Sequence, residues 1–139
     1  MGFVRGYSFG SFDGNECTDV AGEPQACPEF DRLVGTRIAV ANAEIRIPLL
    51  GTEWLGLIAL DFLPTELSLF GDAGLAWTSE DAPELDVATH STERIPVFSA
   101  GASLRFNLFG RLVAEVFYAM PFQRPERTGV WGFQLSPGW

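Results

Sequence analysis

The sequence predicts an all-β protein, an antiparallel up-and-down meander of about five long strands preceded by a long loop. Three observations predict it. Beyond residue 35, apolar and polar residues alternate with a period of two in several long runs. Polar connections carrying Gly and Pro separate these runs. No stretch of about 18 apolar residues is present, so no transmembrane helix is encoded.

Residues 1–35 are rich in Gly, Asp, Glu, Pro and Ser and read as one ordered loop rather than a strand pair. The loop begins with "GFVRGYSF" and contains two cysteines, Cys17 and Cys27. A disulfide between them would close a short loop, contribute about 2–3 kcal/mol and imply an oxidising compartment. Two free thiols are the alternative. A zinc site is not expected, because the sole histidine is His90 and no second pair of ligands lies near the cysteines.

Residues 36–139 carry the strands. In "TRIAVANAEIRIP", Ala39, Ala41, Ala43, Ile45 and Ile47 share one face, and Asn42, Glu44 and Arg46 share the other. "LSLFGDAGLAW" sets Leu67, Leu69 and Trp77 against Ser68, Phe70 and Asp72. "FSAGASLRFNL" sets Phe98, Leu104 and Phe106 against Ser99, Ser103 and Arg105. "RLVAEVFYAM" opposes Leu112, Val116 and Tyr118 to Arg111, Glu115 and Phe117. "WGFQLSPGW" opposes Trp131, Phe133, Leu135 and Trp139 to Gly132 and Gln134.

At about 9–12 residues these strands exceed the common soluble length and match what a tilted strand needs to cross a bilayer. Charge fixes the register. Glu44, Arg46, Asp72, Arg105, Arg111 and Glu115 all fall on the polar face, and a one-residue slip would turn them onto the apolar one. A basic residue facing lipid at the bilayer midplane costs about 2–4 kcal/mol.

The connections alternate between a tight turn at "LFGR" and polar loops such as "TSEDAPELDVATHSTERIP", in which Arg94 reads as a distal loop charge. Residues 49–66 depart from this pattern. Their connection is long and apolar, and holds an extra small strand or packs on the barrel end or a partner. Periodicity by itself also admits a soluble sandwich or lipocalin-like barrel with its apolar face inward.

Composition excludes several functions. The net charge of −9 argues against nucleic acid and against docking on anionic headgroups by charge. The sequence contains no recognisable nucleophile turn with triad partners, no phosphate loop and no calcium-loop ligand spacing. Neither an enzyme nor a cofactor is expected.

"VRGY", the cysteine loop, "AEIRIP", "FGDAG", "YAMPF" and a terminal aromatic occur in this order over essentially the whole chain. Together they resemble the bacterial surface antigen family, the BamA/TamA-like superfamily of outer-membrane protein assembly barrels. The resemblance implies the C-terminal third of a sixteen-stranded transmembrane β-barrel. Val4, Arg5, Gly6 and Tyr7 match a motif in an extracellular loop that folds into the barrel lumen. Glu44 and Asp72 match the luminal acidic partners of its arginine. Phe133, Leu135 and Trp139 resemble the C-terminal sorting signal.

About five strands cannot close a barrel, and an open edge is not tolerated in lipid. The chain is therefore expected to be part of a longer parent or a truncated reading frame, a reading that also fits an N-terminus without signal-peptide features. By resemblance, the parent serves insertion or translocation of proteins at the bacterial outer membrane. Its expected partners are outer-membrane lipid, the missing barrel strands and periplasmic domains, and substrate outer-membrane proteins. The alternative is a soluble β-barrel that binds a small apolar ligand.

Overall fold

The computed structural model describes residues 4–12, 28–51, 57–59, 63–80, 83, 94–124 and 127–137. Among them lie a 3₁₀ turn at Phe9–Ser11, a short helix α1 at Pro28–Asp31 and six strands. The strands are β1 (Arg37–Gly51), β2 (Ile58–Ala59), β3 (Thr65–Trp77), β4 (Val97–Leu108), β5 (Leu112–Pro121) and β6 (Val130–Pro137). They form one sheet in the order β2-β1-β3-β4-β5-β6. The five long strands pair antiparallel with their sequence neighbours, giving the expected meander.

β2 lies within the connection that the sequence left open. Leu50 and Gly51 pair in parallel with Ile58 and Ala59, so β2 adds two residues to one end of β1's outer edge. No strand occurs among the described residues of 1–35, although the short helix α1 was not expected there. Pro28 at its first position suits a helix start, where the missing N–H has no intrahelical partner to lose. Arg111 lies in the tight turn before β5 rather than within the strand.

The period-two pattern meets the register directly. Asn42 pairs with Asp72, and Asp72 with Ser99; Phe70 pairs with Gly101; Arg105 pairs with Glu115, and Glu115 with Gln134. One sheet face therefore gathers the polar and small residues. The opposite face carries exposed Ile45, Leu69, Leu104, Met120, Phe133 and Leu135. Tyr118 and Trp131 pack against each other on that face in a tilted arrangement, ring centroids 5.1 Å apart, near the end bearing the long connections. This is where an interfacial aromatic girdle would lie in a membrane barrel.

The buried core is formed between the loop and the polar face. Val4, Tyr7, Leu33, Ala76 and Val97 cluster there, with Phe12 and Val40 packed against them. The segment 4–12 is thus docked on the sheet at the end where β1 begins. Arg94 helps to close this end, because its guanidinium donates to the carbonyls of Asp31 and Val34 at 2.6 Å each. It is therefore a tether between the two long connections and not the distal loop charge that the sequence suggested.

Candidate functional site

The site forms where residues 4–7 meet the polar face. The chain reverses at Gly6, whose φ of +88° favours glycine. The reversal aims Arg5 and Tyr7 at different parts of the sheet. A Cβ at Gly6 would also sit 3.4 Å from the Cβ of Ala119.

Arg5 makes the central contacts. Its Nε donates to Asp72 Oδ2 at 2.9 Å and its Nη2 to Asp72 Oδ1 at 3.0 Å, while its backbone N–H donates to Oδ2 at 3.1 Å. This is the two-pronged fit for which a planar guanidinium is suited. Nη1 donates to Glu115 Oε1 at 3.1 Å. The guanidinium carbon lies 3.4 Å from the centroid of Phe70, a cation–π contact. Asn42 Nδ2 supplies a further donor to Asp72 Oδ1 at 2.9 Å.

Asp72 stands on β3 and Glu115 on β5, with β4 between them. Neighbouring strands are about 4.8 Å apart, so a side chain reaching both must cross the intervening strand. β4 leaves it room because its residues on this face are small: Ser99, Gly101 and Ser103. At Gly101 a Cβ would lie 2.8 Å from Phe70 Cζ and 2.0 Å from the Tyr118 carbonyl oxygen. Glycine there leaves space for the ring on which Arg5 stacks.

Glu44 is on the same face, but it does not hold Arg5. Its carboxylate accepts from the Ser68 hydroxyl, from Arg46 Nη2 at 3.3 Å and from Arg105 Nη1 at 3.3 Å. The second carboxylate on Arg5 is Glu115. Arg105 Nε also lies 3.5 Å from Glu115 Oε2, and Gln134 Nε2 donates to that oxygen at 2.9 Å. The charges thus alternate through Asp72, Arg5, Glu115, Arg105, Glu44 and Arg46. Arg5, Asn42, Glu44, Arg46, Arg105, Glu115 and Gln134 line a cavity of about 300 Å³.

Tyr7 is fully buried. Its hydroxyl accepts from the Gln123 backbone N–H at 2.9 Å and reaches Gln123 Oε1 at 3.0 Å as a donor. Burial pushes the phenol up to about 12, so it remains a neutral donor at physiological pH. Tyr7→Phe would leave the Gln123 N–H and side chain without this partner. It is expected to destabilise the docked loop by about 1–3 kcal/mol, measured as earlier chemical unfolding of the full-length protein.

Phe133 and Leu135 lie exposed on the apolar face of β6. Trp139, Cys17 and Cys27 lie outside the described residues. Sequence reasoning placed Glu115 on the polar face but gave it no role. It gave none to Phe70, Gln123 or Arg124 either. The parity of Glu115 was the available signal; its alignment with Arg5 depends on the pairing of three strands.

A meander of long strands with an apolar outer face and a polar opposite face fits the strand pattern of the outer-membrane barrel class of protein. The Omp85 superfamily domain matches residues 1–138, and the chain belongs to that superfamily, whose members are outer-membrane proteins. Among curated proteins and solved structures no match to the chain was found.

Proposed function

We propose that the chain is the C-terminal barrel part of a longer parent that inserts or translocates proteins at the bacterial outer membrane. The observation that carries this reading is Arg5, brought by its loop onto Asp72 and Glu115 across three strands. Together with the family match, it supports a luminal loop held by the barrel wall. The role is mechanical, with no catalytic group and no cofactor assigned.

In this reading the apolar face meets outer-membrane lipid. The outer edges of β1 and β6 join the parent's remaining strands, because unpaired strand edges are not tolerated in lipid. Periplasmic domains precede the barrel, and substrate outer-membrane proteins are its clients. A Cys17–Cys27 disulfide and a sorting signal of Phe133, Leu135 and Trp139 belong to the same proposal. A soluble barrel for an apolar ligand would enclose its apolar face, whereas the loop here covers the polar one.

The test uses the full-length protein. It should fractionate with membranes and need detergent for recovery. Arg5→Ala should impair outer-membrane protein assembly, and Arg111→Ala, in the exposed turn at the far end of the sheet, should not. Equal effects of the two substitutions, or recovery as a stable monomer without detergent, would refute the proposal.

A further inference from the structure

The connection after β5 contains two buried polar side chains that the Arg5 network does not use. Arg124 is 1% exposed and Gln123 is 3% exposed. Nη1 of Arg124 donates to the Gly6 carbonyl and, at 2.9 Å, to the Ser11 hydroxyl. Nη2 donates to the Ser11 carbonyl at 2.8 Å. The guanidinium carbon stands 4.0 Å from the centroid of Phe12. Gln123 Oε1 accepts from the Phe98 N–H at 2.7 Å as well as from Tyr7, which ties the same turn to β4.

These contacts have a direct consequence. A guanidinium keeps its charge in proteins, so burial is tolerable only while acceptors surround it. The three acceptors named for Arg124 all belong to residues 6–11, and its aromatic partner is residue 12. If the loop left the sheet, these bonds and the Phe12 contact would be lost with it, and the packing that holds the turn at 122–124 would change. Tyr7 and the Gln123 backbone impose the same condition through a neutral hydrogen bond.

We propose that Gln123 and Arg124 form a second latch on the loop, separate from Arg5. This latch couples docking of residues 4–12 to the β5–β6 connection, so that loop release and movement of that connection are one event. Arg124 is a positioning residue in this scheme. β6 is an edge strand of the sheet, so the coupling links the loop to the conformation of the edge hairpin. The coupling is a property of loop docking, whatever cargo the parent handles.

The experiment is hydrogen exchange followed by mass spectrometry on the full-length protein in lipid. Linkage requires reciprocity. Arg124→Ala should speed exchange across residues 4–12 by about tenfold or more, since a guanidinium with several charge-assisted bonds is lost. Arg5→Ala should in turn speed exchange at Phe122 and Gln123, whose amides donate to Phe98 and Tyr7. Unchanged exchange at either reporter overturns the coupling. If Arg124→Ala does not assemble, as judged by heat-modifiable electrophoretic migration, Arg124→Lys is read by the same criteria. The lysine keeps the charge but cannot span the acceptors of Gly6 and Ser11 together.

Discussion

Asp72→Ala is expected to loosen the docked loop at a cost of about 3–5 kcal/mol, the range for removing one partner of a buried ion pair. The pair is well shielded, with side-chain exposures of 14% for Arg5 and 0% for Asp72. The substitution removes the acceptor of three Arg5 bonds and of the Asn42 amide at once. Arg5 would keep Glu115 and its stack on Phe70, so the loop would be loosened without losing every contact.

Denaturant unfolding of the full-length protein in lipid measures the loss, and exchange over residues 4–12 locates it. Glu44→Ala is the informative comparison. Glu44 holds Ser68, Arg46 and Arg105 rather than Arg5, so its removal should leave the loop docked. Loosening of the loop by Glu44→Ala as strong as that by Asp72→Ala would show the assignment of partners to be incorrect.

The second large effect concerns the other face. Leu69 is exposed, near the middle of β3, and pairs with Ile45 and Ala102. If lipid covers it, Leu69→Arg should cost about 2–4 kcal/mol. If water covers it, a surface substitution there should change stability by no more than about 0.5 kcal/mol. Folding of the full-length protein into bilayers, compared with Leu69→Ala, separates the two cases. A tolerated arginine would remove the assignment of this face to the membrane.

The strands were legible because side-chain parity in a strand is local. Ser68, Phe70 and Asp72 must share a face if the segment is extended, whatever surrounds it. The same parity put Glu44, Arg105 and Glu115 on that face too. The small strand β2 was less legible. Its two residues pair in parallel with the end of β1, and such short pairing leaves little periodic signal. Arg94 was misread for a related reason: its acceptors are carbonyls of residues about 60 positions earlier, and a carbonyl has no sequence signature.

Sequence patterning established the meander and the face on which each charge lies, and the family resemblance carried by "VRGY" and "FGDAG" implied the pairing of Arg5 with Asp72. Each of these depends on period-two geometry or on a short motif. Folding of the whole sheet was needed to make Glu115, and not Glu44, the second carboxylate on Arg5. That choice depends on the register of β3, β4 and β5, on the small residues of β4 beneath the guanidinium, and on competition from Arg46 and Arg105 for Glu44. It likewise brought Arg124 to Gly6 and Ser11 across more than a hundred residues. Local chemistry fixes which way a side chain points; the stacking of whole strands fixes which distant groups it meets.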